Sequence, residues 1–158
     1  MLANNNQPLL HAINGTTSSR YPVWFLRQAG RYLPEYRELK KKHSFLDLCH
    51  DPKKAAEITL QPLRRFDLDA AIIFSDILTP LIAAGQHLSF KQNHGPVITP
   101  TISSKKDLLA LNLDNISQKL SYVGEALSIV KKELPSEKTL IGFAGSAFTV
   151  ASYMIQGQ

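Results

Sequence analysis

The feature that most restricts the fold is Ala70-Ala71-Ile72-Ile73-Phe74, an unbroken apolar run of strand length between Asp69 and Ser75. A strand with one wet face alternates; one with no polar position is covered on both faces, as inside a parallel sheet. Thr139–Phe143 repeats the pattern. Val23–Leu26, bounded by Pro22 and the charged residues around Gly30, reads as a further buried strand. Helical patterns lie between these runs. Pro34–His43 is highly charged, with Pro34 suited to a first turn. Asp51 and Pro52 supply an N-cap and a first helical position for a segment that carries Ala55, Ala56, Ile58 and Leu60 and ends near Phe66. Asp114–Lys132, with Ile116, Leu120, Val123, Leu127 and Val130 at spacings of three and four, is the longest helical pattern. His87–Lys91 alternates as a short strand before the turn signal Gly95-Pro96, and Ala147–Ile155 starts another helix. Residues 3–20 read as largely irregular, with room for a short helix over Gln7–Ala12. Strands alternating with helices give an α/β fold with a parallel sheet.

Right-handed crossovers place the C-terminal ends of such strands on one rim, where α/β proteins bind their ligands. Conspicuous polar residues follow those ends: Arg27 after the first strand, Asp76 after the second, and Ser146–Tyr153 after the last. Composition narrows the ligand. With 18 basic and 13 acidic residues the net charge is +5, which admits an anion. Lys and Arg form no dense stripe interleaved with aromatics, which speaks against nucleic acid. The single cysteine, Cys49, excludes a disulfide framework and a zinc site built on paired thiolates. The histidines (His11, His43, His50, His87, His94) lack metal-ligand spacing, so no metal is expected. No apolar run approaches the ~18 residues of a membrane span, and the polar stretch Met1–Gln7 lacks the order of a signal peptide. A cytoplasmic setting without a membrane partner is expected.

Three places could carry chemistry. Arg27-Gln28-Ala29-Gly30-Arg31 sets two guanidinium groups four residues apart around a glycine. This is either a loop with two surface arginines or a clamp for carboxylate or phosphate, to which guanidinium binds two oxygens at a time. Asp76 is a lone carboxylate in apolar surroundings, costly without a partner. It either caps the next helix together with Ser75 or serves as a site anion facing N–H donors or a developing cation. Gly142–Thr149 leaves a strand through small residues into a helix and reads as close packing, and Tyr153 in that helix reads as core by default.

Taken together, Pro22–Arg37 (PVWFLRQAGRYLPEYR), Leu60–Phe66 (LQPLRRF), Leu68–Leu78 (LDAAIIFSDIL) and Gly142–Ile155 (GFAGSAFTVASYMI) resemble the uroporphyrinogen decarboxylase family from Tyr21 onward. The resemblance implies a (β/α)8 barrel of about twice this length, so that residues 1–158 would be the N-terminal portion of a single barrel domain. It also implies a homodimer and a reaction without metal or organic cofactor. That reaction converts the four acetate groups of uroporphyrinogen III to methyls, giving coproporphyrinogen III and carbon dioxide. By motif match, Arg27, Gln28, Ala29, Gly30 and Arg31 fall in the substrate-binding loop. Asp76 takes the place of the aspartate that holds the pyrrole N–H groups, and Tyr153 that of a substrate-contacting tyrosine. Asp76, Arg27 and Arg31 are the expected catalytic residues. Ala147 departs from the family pattern, which has proline there. At this length an open half-barrel leaves strand edges and helix faces bare, and the chain alone is expected to be a fragment or truncated product without activity. The rival expectations are a non-catalytic remnant that binds tetrapyrrole or a partner chain, and a corrinoid-linked methyltransferase relative. The latter needs zinc held by cysteine and histidine.

Overall fold

The computed structural model describes residues 7–18, 20–26, 28–90, the backbone of residue 91, and residues 95–158. In chain order these form α1 (Pro8–Ile13), α2 (Pro34–Lys42), α3 (Phe45–His50), α4 (Pro52–Arg65), β1 (Ala70–Ile72), α5 (Thr79–Ala83), β2 (His87–Lys91), β3 (Gly95–Thr99), α6 (Lys105–Leu109), α7 (Ile116–Lys119), α8 (Ser121–Glu133), β4 (Thr139–Ile141) and α9 (Ala147–Gln156). The chain divides into two compact units. One spans Met1–Ser75 and Tyr122–Phe143, the other Asp76–Ser121 and Ala144–Gln158.

In the first unit β1 and β4 pair in parallel, Ala70 opposite Thr139, Ala71 opposite Leu140 and Ile72 opposite Ile141. The ladder runs one residue further through the Ile73 N–H, which donates to the Ile141 carbonyl at 3.0 Å. Two helices cover it. Ala55, Ala56 and Leu60 of α4 pack with Ala71 and Ile73 and with Ala126 and Val130 of α8. Both helices thus cover the face of β1 that carries Ala71 and Ile73, and Ala70 and Ile72, on the opposite face, are buried as well. Helix α4 forms where the chain supplies a cap: the Asp51 carboxylate accepts the Lys53 and Lys54 N–H groups, both at 3.0 Å, and Pro52 takes the first turn. From α4 the buried Thr59 hydroxyl donates to the Ala55 carbonyl and accepts the Phe74 N–H at 2.9 Å, holding the exit of β1. A second cluster joins Leu33, Tyr36, Leu48 and Ile58. The rings of Tyr36 and Phe45 meet Phe74 edge-on, with centroids 5.9 and 5.6 Å away.

In the second unit β2 and β3 form an antiparallel hairpin with His87 opposite Thr99 and Lys91 opposite Gly95. Helix α9 lies against it: Ile98 N–H donates to the Gly157 carbonyl at 2.9 Å and Ile102 N–H to the Met154 carbonyl at 2.8 Å.

Three expectations need correction. Val23–Leu26 is not a strand. Val23 N–H goes to the Asp69 carboxylate and Phe25 N–H to the Gln28 side chain, so side chains take the donors a ladder would use. Val23, Phe25 and Leu26 are 43%, 58% and 66% exposed, so the run is not buried either. The pattern over Asp114–Lys132 is two helices, because Leu120 (φ −103°, ψ 13°) leaves helical geometry between α7 and α8. A single break leaves the three-and-four spacing intact on each side, which is why periodicity overlooks it. Gly95-Pro96 opens β3 instead of turning ahead of it, with Gly95 at φ +78°. Sequence periodicity also passes over α3, whose start is set by a reciprocal cap between Ser44 and Asp47.

Candidate functional site

The first unit carries the loop with the glycine and two arginines. Arg27 lies outside the described residues, as does His94. Gln28 is 1% exposed, and its side chain is fully engaged with backbone: Nε2 donates to the Ala70 carbonyl at 2.7 Å and Oε1 accepts the Phe25 N–H at 3.1 Å. The Tyr32 hydroxyl donates to the Gln28 carbonyl at 2.7 Å. The loop therefore hangs from the first residue of β1. Ala29 packs on the cluster of Leu33, Tyr36, Leu48 and Ile58. Gly30 is buried at φ +135°, and a Cβ there would meet nothing within 4 Å, so backbone conformation is what asks for glycine. Arg31 is exposed and makes no ion pair or hydrogen bond with a described residue, whereas Arg20, Arg64 and Arg65 are all paired. Its charge still reaches Tyr36, where burial raises the phenol pKa and Arg31 opposes the rise.

The second unit carries Asp76 and Tyr153. Asp76 follows the end of β1 by four residues and is half-buried. Its Oδ1 accepts the Leu78 N–H at 2.7 Å, closing an Asx turn, and its carbonyl accepts the Thr79 hydroxyl at 3.0 Å. Its Oδ2 takes no hydrogen bond from a described residue. The capping alternative is met only in part, since the turn leads into α5 while the N-cap position is Leu78. Burial raises the Asp76 pKa above the ordinary aspartate value, the Leu78 N–H pulling the other way. Every other described carboxylate with a resolved shift moves down, namely Glu35, Glu38, Asp47, Asp51, Glu57, Asp69 and Asp107. Among these described carboxylates, burial prevails at Asp76 alone.

The segment after β4 stays beside the one after β1. A Cβ on Gly145 would come within 2.7 Å of Val150 Cγ2 and 3.1 Å of Ile77 Cβ, so the close-packing reading of this glycine holds. Ser146 then caps α9, its hydroxyl accepting the Thr149 N–H at 3.2 Å. Tyr153 is half-buried in α9, and its phenol makes no hydrogen bond with a described residue, unlike the partnered core tyrosine expected. Among the described residues no group of three or more His, Cys, Asp or Glu is placed to hold a metal ion. No described helix is long and apolar enough to cross a membrane. Sequence reasoning missed Arg20 and Asp69; the available signal was a charge placed directly before a fully buried strand.

Parallel strands packed against helices, with polar residues just past the strand ends, define an α/β protein. The comparisons with known proteins agree. The family model "Uroporphyrinogen decarboxylase (URO-D)" matches residues 4–158. Curated uroporphyrinogen decarboxylases from Brucella ovis and Corynebacterium glutamicum (strain R) are each 48% identical to this chain over 153 residues. Those matches cover 96% and 97% of this chain but 44% and 42% of the relatives, so the chain spans somewhat under half their length. A solved methyltransferase from Methanosarcina mazei superposes with a TM-score of 0.71 at 19% identity, over 96% of this chain and 45% of that one, and shares the fold. The chain belongs to the uroporphyrinogen decarboxylase family and represents part of its α/β barrel.

Proposed function

We propose that this chain supplies part of the active site of an enzyme that decarboxylates the four acetate side chains of uroporphyrinogen III to give coproporphyrinogen III. The observation that carries the reading is Asp76, half-buried, with Oδ1 held by Leu78 N–H and Oδ2 without a hydrogen bond from a described residue. A porphyrinogen presents pyrrole N–H groups at its centre and carboxylates at its rim. Its complement is a desolvated anion together with guanidinium groups; Arg31, without an ion pair to a described residue, is one, and Arg27 takes the same part by motif match. Gln28, Ala29 and Gly30 then act as the frame of that loop, and the open Tyr153 hydroxyl donates to the substrate. The same reading carries a homodimer in the cytoplasm, with no nucleic-acid or membrane partner.

Loss of carbon dioxide needs somewhere for an electron pair to go. Protonation of a pyrrole makes the ring a cation. The bond from the acetate methylene to its carboxylate then breaks, the pair flows into the ring, reprotonation of the exocyclic carbon makes a methyl, and the ring gives up the proton it first took. Each arm consumes one proton and releases one carbon dioxide. The barrier follows the stability of the ring cation, which the Asp76 anion lowers electrostatically. By analogy with the loss of one preorganised oxyanion-hole donor, such a group is worth ~3–4 kcal/mol. Anaerobic calorimetric titration with coproporphyrinogen III tests the binding half of the reading. Wild-type protein is expected to bind, and Arg31→Ala to weaken binding by about tenfold, the loss of one charge-assisted carboxylate contact. Absence of binding by the wild type would overturn it, and binding by the complete barrel without release of carbon dioxide from uroporphyrinogen would mark a non-catalytic tetrapyrrole binder.

A further inference from the structure

We propose that Asp69, together with Arg20, positions the loop that presents Arg31; this assignment of role rests on the reading of that loop as carboxylate-binding. Asp69 is 2% exposed and gathers five hydrogen bonds. Arg20 grips its carboxylate with both terminal nitrogens, at 2.8 Å to Oδ2 and 2.5 Å to Oδ1. Val23 N–H donates to Oδ2 at 2.7 Å, the Asp69 N–H donates to the Val23 carbonyl at 2.8 Å, and the Asp69 carbonyl accepts the Thr139 N–H at 2.8 Å. One residue thus ties the entry of the loop to β1 and β4. Five residues on, Gln28 ties its middle to the very next residue of β1 through the Ala70 carbonyl. Between the two anchors the side chains of Val23, Phe25 and Leu26 are exposed, so the hydrophobic burial that would otherwise fix such a segment is weak there. Polar contacts do the holding, and Asp69 contributes most of them at the entry. Arg31 follows Gln28 by three residues, and its own side chain has no ion pair with a described residue to fix it, so its direction is set by the backbone these anchors hold. Burial pushes the Asp69 carboxyl up, but the Arg20 guanidinium and the Val23 N–H outweigh it and keep the group ionised.

The chain has one tryptophan, Trp24, placed between the Val23 and Phe25 anchor points, and this gives a readout that needs no ligand. Asp69→Asn and Arg20→Gln are expected to red-shift Trp24 emission and raise its quenching by acrylamide at temperatures where far-ultraviolet circular dichroism remains that of the wild type. Arg20→Lys, which keeps one charged donor, is expected to restore most of the wild-type signal. With coproporphyrinogen III as probe, each loosening variant is expected to bind about tenfold more weakly, as for loss of one charge-assisted contact. Adding Arg31→Ala to Asp69→Asn should then cost much less than Arg31→Ala costs alone, because the guanidinium is already misplaced; merely structural damage would leave the two effects additive. If Asp69→Asn does not fold, Arg20→Gln carries the same test from a half-exposed position. Unchanged Trp24 emission in a folded variant, or additive effects with Arg31→Ala, would overturn the positioning role. Failure of the wild type to bind the probe would instead count against the functional reading and leave the fluorescence test standing.

Discussion

Two aspartates lie on either side of β1 in sequence, and their carboxyl pKa values move in opposite directions. Asp69 is buried but ends below the ordinary aspartate value, because Arg20 and the Val23 N–H outweigh desolvation. Its contribution to stability is fully present above the unfolded aspartate pKa of ~3.9 and is lost as pH falls through the lower folded value. Asp76 is raised by burial, so its ionised form is a stability cost at neutral pH that disappears once the pH is below the unfolded value. Asp76→Asn keeps an acceptor for the Leu78 N–H and removes the buried charge. The variant is expected to melt higher than wild type at neutral pH, with the gain shrinking to nothing below the unfolded aspartate pKa of ~3.9, measurable by thermal denaturation across that range. An equal or lower melting temperature at neutral pH would mean that Asp76 is not held at a cost. On the proposed reading the same residue also makes porphyrinogen affinity depend on pH. Pyrrole N–H donors favour the anion, so porphyrinogen binding should strengthen as pH rises through the raised Asp76 pKa and lose that dependence in Asp76→Asn.

At the scale of elements, the cap chemistry decides where helices begin. Ser44 and Asp47 cap α3 reciprocally, and Ser44→Ala is expected to cost about 1 kcal/mol by chemical denaturation. Ala147 is the first residue of α9, exposed, and preceded by Ser146 at φ −65°, ψ 153°, an extended geometry compatible with a following proline. Ala147→Pro should therefore stabilise the protein by about 0.4–1 kcal/mol, through a stiffer unfolded chain. A loss of stability would show that the Ala147 N–H has a partner in solution. Much of this architecture was legible beforehand. The Ala70–Phe74 run and the Asp51-Pro52 helix start each break a local expectation in a way only one structural setting resolves, whereas Asp76 left a cap and a site anion both open. The loop before them was not legible in the same way. Its apolar residues Val23, Phe25 and Leu26 are those of a strand, yet their backbone donors go to Asp69 and Gln28. An amide or carboxylate that bonds to distant backbone leaves no periodic trace in sequence. Gln28 is the clearest case: a residue matched to a binding loop whose side chain faces inward to hold it.

Across the whole molecule, apolar side chains stand exposed on α9, with Phe148 at 83% and Ile155 at 62%, seven residues and about two turns apart on one face. Exposed stripes of this kind drive association. The purified chain is expected to self-associate as its concentration rises, and a Phe148→Gln, Ile155→Gln pair to reduce this, as followed by light scattering. Concentration-independent scattering by the wild type would contradict that expectation. The account as a whole turns on the anion beyond β1 stabilising a cationic ring. Release of carbon dioxide from uroporphyrinogen III by the complete barrel, compared between wild type and Asp76→Asn, tests this most directly. Turnover slowed by roughly a hundredfold to a thousandfold, by analogy with deletion of one preorganised electrostatic group, with substrate binding much less affected, is the predicted result; wild-type turnover in the variant would contradict it.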